Sequence, residues 1–159
     1  MYNFAILDYV TSGVCIIDDQ FTLHFWNSRL EEMTRIDREE VLGKNIEDFF
    51  IHFGSPAYRK RINGLFSGGP PVLFSSQLHK NLFRGLTPKG DPALQQALVR
   101  AYPVGEGKYY AIFSIEDVTA LSRKISEYHE MSATARTALQ EKDLLFQEMH
   151  HRINNNLNT

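Results

Sequence analysis

The most chemically distinctive residues of this chain are two adjacent histidines, His150 and His151. Imidazole changes its protonation state near neutral pH, and its neutral ring can act as a nucleophile, a base or a metal ligand. Both histidines lie in the segment EKDLLFQEMHHRINNNLNT, residues 141–159. Glycine and proline are absent from residues 120–159, so the sequence predicts one long helix that carries the pair.

Helical geometry separates the two histidines. At about 100° per residue, an apolar face of the helix is formed by Phe146, Met149, Ile153 and Leu157. His150 lies about 70° from the centre of that face, on its flank, whereas His151 lies about 170° away, in water. A group that reacts with a substrate held by another domain must face outward, which favours His151.

Apolar or small residues recur along residues 120–159 at alternating spacings of four and three. They are Leu121, Ile125, Tyr128, Ser132, Ala135, Leu139, Lys142, Phe146, Met149 and Ile153. Ser132 and Lys142 weaken the pattern, but it persists for about four heptads. The sequence therefore predicts a parallel dimeric coiled coil, with a solvated single helix as the alternative.

The composition limits the kind of protein. A length of 159 residues fits one compact domain with an appendage, and 43% hydrophobic residues can form a core. The net charge of -2 gives no reason to expect nucleic acid or an anionic membrane as a partner. One cysteine, Cys15, excludes an intrachain disulfide, and neither a signal peptide nor a run of about 20 apolar residues is present. We expect a soluble, cytoplasmic chain.

Short helices are predicted in the first half of the chain. Residues 2–10 have the apolar spacing of a short amphipathic helix. Asn27, Asp37 and Asn45 are predicted N-caps of the segments RLEEM, DREEVLG and NIEDFF. A fourth helix, PAYRKRINGLF, is predicted to start near Pro56.

Five strands are predicted around these helices. GVCIID and FTLHFWN form a hairpin, residues 72–79 form a third strand, and ALVRAYPV and KYYAIFSIEDV form the last two. Period-two alternation predicts Tyr109, Ala111, Phe113 and Ile115 on one face of the last strand and Tyr110, Ile112 and Ser114 on the other, and one of the two faces should line the core. The order predicts an α+β domain with one antiparallel sheet over residues 1–119, followed by a signalling helix over residues 120–159.

Three motifs in this domain occur in a recognisable order. Trp26-Asn27 leads from the hairpin into the first helix, Val41-Leu42-Gly43-Lys44 precedes NIEDFF, and Ile115-Glu116-Asp117-Val118-Thr119 ends the last strand. In order and spacing, residues 2–119 resemble a PAS sensor domain, in which an Asp-x-Thr motif often opens a signalling helix. The resemblance implies a five-stranded antiparallel sheet with short flanking helices.

The segment after this domain carries a second resemblance. His150-His151-Arg152-Ile153, followed by three asparagines and Leu157, resembles the dimerisation and phosphoacceptor helix of a subfamily of sensor histidine kinases. Asn154 departs from that pattern, because the subfamily usually has a lysine there. The resemblance and the helical geometry both select His151 as the phosphoacceptor.

Two neighbours are candidate supporting residues for His151. Asn155 lies four residues later on the same helical face and is positioned to orient the imidazole or to bind a phosphate oxygen. Glu148 lies three residues earlier and is a candidate acceptor for the proton on the other ring nitrogen.

These resemblances imply the sensor and phosphoacceptor portion of a two-component histidine kinase. The implied partners are a second copy of the chain, an ATP-binding domain of the same parent protein, and a response regulator. No segment resembles the asparagine-containing helix or glycine-rich lid of that ATP-binding domain, so we expect no autophosphorylation by this chain alone. Because the sequence stops within a helical pattern, we also expect a longer parent protein.

Two other functions remain open at this point. One is a non-enzymatic PAS dimerisation module whose coiled coil feeds a different output, such as a cyclase or a DNA-binding domain. The other is a ligand-binding receptor in which the helix only clamps the dimer.

The resemblance also implies a pocket that can hold a small-molecule ligand, which the sequence does not identify. Photoactive flavin is not expected, because the required cysteine belongs on the helix after NIEDFF and Cys15 lies on the first strand. Haem-binding members of the family use an axial histidine on the same helix. Haem is not expected here, because His52 precedes that helix and His79 lies near a later strand. No histidine or cysteine cluster has metal-ligand spacing. Residues 80–96 are long for a hairpin connection and are predicted to be a lid or a disordered loop.

Overall fold

The computed structural model of the chain describes residues 4–76, 78–79 and 81–157. The chain divides into two compact units, Met1–Thr119 and Ala120–Thr159.

A single five-stranded sheet organises the first unit. Its strands are β1 (Gly13–Ile17), β2 (Leu23–Trp26), β3 (Val72–Phe74), β4 (Gln95–Gly105) and β5 (Lys108–Asp117). The spatial order is β2-β1-β5-β4-β3, and all neighbouring strands are antiparallel. This arrangement confirms the predicted α+β class and places the first and last strands side by side at the centre of the sheet.

The helices of the first unit are short. Among its described residues, three are α-helical: α1 (Ser28–Thr34), α2 (Arg38–Val41) and α3 (Pro56–Asn63). Four are 3-10 turns, at Ala5–Tyr9, Ile46–Asp48, Ile51–Gly54 and Gly64–Ser67. The predicted helix at residues 2–10 is therefore a 3-10 turn over Ala5–Tyr9, and residues 2 and 3 lie outside the described range.

The predicted N-caps have different outcomes. Asn27 accepts a hydrogen bond from the backbone N–H of Leu30 at 3.0 Å, which confirms its role at α1. Asn45 accepts from the backbone N–H of Glu47 at 2.9 Å. Asp37 stands at the N-cap position of α2, but its side chain makes no capping hydrogen bond, so that part of the prediction was wrong.

Asn27 does much more than cap a helix. Its side chain is completely buried, and its Oδ1 also accepts from the backbone N–H of Val14 at 2.8 Å. Its Nδ2 donates to the carbonyl oxygens of Leu7 and Ser12, both at 3.0 Å. One carboxamide therefore joins the N-terminal turn, β1 and α1, and all of its hydrogen-bonding capacity is used.

The third predicted strand is shorter than expected. Strand β3 covers Val72–Phe74, whereas the prediction extended to residue 79. The carbonyl oxygen of Ser75 accepts hydrogen bonds from the backbone N–H groups of Leu78 and His79, so the chain turns there instead of continuing the ladder. Polar Ser75 and Ser76 give no alternating apolar pattern that would hold an extended strand in place.

The core lies on one face of the sheet, beneath the short helices. In β5, Ala111, Phe113 and Ile115 are buried and alternate with half-exposed residues, as the period-two pattern predicted. Tyr109, at the start of the same face, is only half-buried. Burial of this apolar face is the main force that holds the sheet and helices together.

Over its described residues, the second unit is a single helix. Helix α4 spans Thr119–Leu157, and its sequence lacks glycine and proline and is rich in alanine, leucine and glutamate, which are strong helix formers. None of its described residues is buried in the single chain, and apolar residues such as Leu121, Met149 and Ile153 are more than half exposed. The dimer predicted from the heptad pattern remains a prediction.

Candidate functional site

The two histidines of α4 have different surroundings. The Nδ1–H of His150 donates to the carbonyl oxygen of Phe146, 3.0 Å away, one turn earlier in the same helix. The Nδ1 of His151 faces the side chain of Asn155, whose Nδ2 lies 3.2 Å away. Both rings are exposed. The structure thus ties His150 to its own helix and pairs His151 with a side chain that can control its tautomer.

The carboxamide of Asn155 can stabilise either neutral tautomer of His151. When Nδ2 faces the ring, it donates to Nδ1, and the proton of the neutral imidazole lies on Nε2. Rotating the carboxamide by about 180° presents Oδ1 instead, which accepts the proton of Nδ1–H and leaves the lone pair on Nε2 free. The same residue pair therefore supports a protonated or a nucleophilic Nε2.

Glu148 is engaged elsewhere. Its Oε1 accepts a hydrogen bond from Nη2 of Arg152 at 2.7 Å, and both side chains are well exposed. Exposed ion pairs of this spacing stabilise a helix by only about 0.3–0.5 kcal/mol, so little free energy holds Glu148 to Arg152. The structure brings Asn155 to His151 but does not bring Glu148 there, and the proposed role of Glu148 stays a prediction.

The surface around His151 consists of one exposed helix. No residue of α4 that the structure describes is buried, so the chain itself does not exclude water from the imidazole. Group transfer needs a site where charge and solvent are controlled. In the single chain the imidazole of His151 is therefore open to solvent.

The interior of the first unit is filled by aromatic rings. Besides the buried Phe21 and Phe74, five buried rings contact one another in a cluster: Trp26, Phe50, Phe53, Phe83 and Phe113. Phe83 lies at its centre, with ring centroids 4.9 Å from Phe50, 5.6 Å from Trp26 and 5.8 Å from Phe53. These edge-to-face and tilted contacts are favourable geometries for aromatic pairs.

The residues considered as cofactor ligands are dispersed. Cys15 is completely buried on β1, and burial raises the pKa of its thiol well above the usual value. His52 packs against Phe53 and Tyr58, and burial lowers its pKa. His79 packs edge-on against Phe74 and contacts Arg61. Among the described residues, no group of three side chains could hold a metal ion.

The Asp-x-Thr motif, residues 117–119, ends the first unit with a compact hydrogen-bonded turn, which we call the exit turn. Oδ1 of Asp117 accepts from the backbone N–H of Thr119 at 2.9 Å and from its hydroxyl at 2.5 Å. The hydroxyl oxygen of Thr119 accepts from the backbone N–H of Leu94 at 2.8 Å, and the N–H of Val118 donates to the carbonyl oxygen of Leu94 at 2.8 Å. The motif thus fixes the first residue of α4 to the start of β4.

Two elements of the molecule were not predicted from the sequence. Arg38 binds Asp8 and Glu31 with nitrogen–oxygen distances of 2.9 and 2.8 Å, across separations that no local pattern reveals. Phe83 belongs to a segment predicted as a loop, yet it is completely buried. The apolar pair Leu82-Phe83 between polar residues was the only signal that this loop enters the core.

No helix within the described parts of the chain is long and apolar enough to cross a membrane.

Comparison with known proteins identifies the first unit. A family model described as "PAS domain" matches residues 11–120. A sensory box sensor histidine kinase from Vibrio cholerae is similar in structure, with a TM-score of 0.55 and 19% identity over 72% of this chain and 87% of that one. No curated protein matches the chain.

Two other solved structures share the fold. The PAS domain of an HTR-like protein from Haloarcula marismortui has a TM-score of 0.53 and 18% identity, covering 71% of this chain and 91% of that one. An RNA-binding light-oxygen-voltage receptor has a TM-score of 0.57 and 18% identity, covering 81% of this chain but 36% of its own. At these identities the similarity shows the fold alone. The family match, the sheet order and the Asp-x-Thr turn agree, and the chain belongs to the PAS domain family.

Proposed function

We propose that this chain is the sensor and phosphoacceptor portion of a two-component histidine kinase, with His151 as the residue that is phosphorylated. The observation that carries the proposal is the pairing of His151 Nδ1 with Asn155, on the exposed surface of a helix that begins at the PAS exit turn. The sequence HHRINNNL around this pair supports the same role.

The chemical step uses the Nε2 lone pair of His151. Nε2 attacks the γ-phosphorus of ATP, the bond from that phosphorus to the β,γ-bridging oxygen breaks, and ADP leaves with the electron pair. The imidazole then carries a positive charge, and the proton on Nδ1 passes to a base or to solvent. Asn155 Oδ1 accepts this N–H during the attack, and Glu148 is the nearest candidate base in the sequence once it leaves Arg152.

The ATP is supplied by a partner in this proposal. An ATP-binding domain of the parent protein holds the nucleotide and shields the reacting atoms from water, and a response regulator later takes the phosphoryl group. Both partners place the reaction in the cytoplasm. The exposed position of His151 supports this proposal, because its ring is accessible to an ATP-binding domain or a response regulator that approaches α4 from solvent.

Dimerisation is the proposed means by which the PAS domain controls α4. Exposed apolar residues of α4 recur at heptad spacing, including Leu121 at 58% exposure, Ile125 at 45% and Phe146 at 49%. A partner helix with the same pattern would cover them. A change at the Asp117–Thr119 turn would then alter the register or rotation of the helix pair and the presentation of His151.

Phosphotransfer from a separate ATP-binding domain tests the proposal. The full 159-residue chain is mixed with that domain and γ-labelled ATP, and acid-labile label is measured on the chain. We expect label on the wild type, its loss in His151→Gln, and its retention in His150→Gln, whose ring in the native chain is bonded to the helix backbone. A chain that forms dimers but takes no label would instead support a PAS module with a different output.

A further inference from the structure

The connection between β3 and β4 enters the core instead of lying on the surface. We call residues 81–95 the strap. Its Leu82 is 2% exposed and its Phe83 is completely buried. Connections usually run over the surface, because buried backbone groups need partners. The strap therefore has to be held in place by specific hydrogen bonds.

The ring of Phe83 fills the space between the sheet and the short helices. Its ring contacts Trp26 of β2, Phe113 of β5, and Phe50 and Phe53 of the turns between α2 and α3. The side chain thus touches the elements that enclose the interior of the unit. Its departure would leave an apolar space at the centre of the core, so the state of the strap and the packing of the core are linked.

Gln95, the first residue of β4, binds the backbone of Phe83. It is 3% exposed, and its Oε1 accepts the backbone N–H of Phe83 at 3.2 Å. Its Nε2 lies under Gly85, where a Cβ atom would come within 2.1 Å of it, so the strap passes very close to this amide. Among the described residues, this buried Nε2 has no hydrogen-bond partner.

An unpaired buried amide makes the closed strap less stable than a fully paired one. A buried donor without an acceptor costs free energy that water would recover if the strap opened. The unpaired Nε2 belongs to the same side chain whose Oε1 binds the backbone of Phe83, so the penalty acts where the strap meets the sheet. The strap is therefore closed in the structure, and the unpaired amide of Gln95 lowers the free energy needed to open it.

Asn81 and Ala93 close the base of the strap. Oδ1 of Asn81 accepts the backbone N–H of Gln95 at 3.1 Å, and its Nδ2 donates to the carbonyl oxygen of Ala93 at 2.5 Å. The N–H of Ala93 donates to the carbonyl oxygen of Gly85 at 2.9 Å. The two ends of the strap are therefore joined to each other where β4 begins.

The same base is bonded to the exit turn. Leu94, between Ala93 and Gln95, donates its N–H to the Thr119 hydroxyl and accepts the N–H of Val118. A continuous path of bonds thus runs from the Phe83 backbone through Gln95 and Leu94 to Thr119, the first residue of α4.

We propose that the strap and the exit turn open as one unit, so that withdrawal of Phe83 from the core releases Leu94 from Thr119. The strap is then the device by which a change in the core reaches the first residue of α4. This inference rests on the proposed sensor function for its purpose, but its physical content is the coupling between Phe83 and the exit turn.

Amide hydrogen exchange on the full chain tests the coupling. The variant Phe83→Ala is compared with Ile62→Ala, which truncates an equally buried apolar residue in α3, outside the strap. NMR follows the amides of Leu94 and Val118, with the amide of Val14 on β1 as the reference. In Phe83→Ala we expect exchange at Leu94 and Val118 to rise about tenfold or more relative to Val14, whereas Ile62→Ala should leave that ratio unchanged.

A second variant keeps the inference falsifiable if Phe83→Ala does not fold. Asn81→Ala removes the two bonds at the base of the strap from a half-buried position and creates no core cavity. It should raise exchange at the same two amides and at Phe83. Unchanged exchange ratios in whichever of these variants fold would overturn the coupling. Phosphotransfer to His151 is measured separately, so loss of that label alone would leave the coupling intact.

Discussion

The first unit and helix α4 differ in how they obtain their chemistry. In the first unit, buried polar groups such as Asn27 are paired inside the fold, and aromatic rings fill the interior. In α4, the candidate phosphoacceptor His151 is exposed, and its Nδ1 lies 3.2 Å from Nδ2 of Asn155. The PAS unit buries its own polar and apolar groups, whereas no described residue of α4 is buried in the single chain.

This difference explains where mutations should act. Changes in the first unit should lower the free energy of unfolding, because each buried group has several partners there. Changes around His151 should alter phosphotransfer while leaving stability nearly unchanged, because no described residue of α4 is buried. The following predictions test that separation, beginning with the largest effect.

The first prediction concerns Asn27. Replacing Asn27→Ala leaves the Val14 and Leu30 N–H groups and the carbonyl oxygens of Leu7 and Ser12 without their partner. We expect the free energy of unfolding to fall by about 3–4 kcal/mol, because several buried groups become unpaired at once. Urea unfolding followed by the fluorescence of the single tryptophan, Trp26, measures this loss. A change below about 1 kcal/mol would show that the unit is not held by this residue.

The second prediction concerns Asn155. Asn155→Ala should slow phosphorylation of His151 about tenfold, because the ring then spends less time with Nε2 as the nucleophile. The matched control is Asn156→Ala, which removes an adjacent carboxamide that lies off the face of His151 by about 140°. Asn155→Asp keeps an oxygen acceptor for Nδ1–H and should label faster than Asn155→Ala. Equal rates in the alanine variants of both positions would remove the positioning role.

The third prediction concerns pH and the Arg38 ion pairs. Hydrogen bonds from Arg38 hold the pKa of Asp8 and of Glu31 below their ordinary values of 3.8 and 4.5. Carboxyl groups with lowered pKa stabilise the folded state above their unfolded pKa, and this contribution disappears as the pH falls through the folded pKa. We expect Arg38→Met to lose about 1 kcal/mol at neutral pH and to show a flatter decline of stability in acid.

Unfolding measured from neutral pH to below the ordinary carboxyl range checks this pH dependence. Arg29→Met is the control, because Arg29 forms an exposed ion pair with Glu32 on the same helix. Parallel acid profiles for Arg38→Met and the wild type would contradict the role of these pairs.

The smallest effect is expected at Glu148. Glu148→Gln breaks the exposed pair with Arg152 and should change the stability of α4 by about 0.3–0.5 kcal/mol, as should Arg152→Gln. Circular dichroism through a thermal scan measures it. The same variants examine the proposed proton transfer, since slower labelling in Glu148→Gln alone would support it and equal labelling in both would remove it.

The sequence predicted the elements whose signals are local. The N-caps Asn27 and Asn45, the strand alternation around Phe113 and the Asp117-x-Thr119 turn all depend on residues close in the chain, and the structure confirms them. The stacking of Asn155 on His151 follows from helical spacing in the same way. Local geometry is readable because it needs no knowledge of which distant segments meet.

The sequence failed where long-range contacts decide the outcome. Arg38 meets Asp8 across 30 positions, and Phe83 enters a core whose other rings come from distant segments. Residues 75–79 read as a continuation of β3, but the turn at Ser75 ends the strand. In α4, Glu148 pairs with Arg152 at little gain in free energy, and its role beside His151 stays a prediction.

Mapping the phosphoryl group on the wild-type chain is the most direct test of whether His151 is the phosphoacceptor. After incubation with an ATP-binding domain and ATP, the chain is digested at neutral pH and the modified residue is located by mass spectrometry. We expect a single acid-labile phosphoryl group on His151, with Nε2 as the bonded atom by NMR. A phosphoryl group on His150, or a chain that remains unmodified beside an active ATP-binding domain, would contradict it.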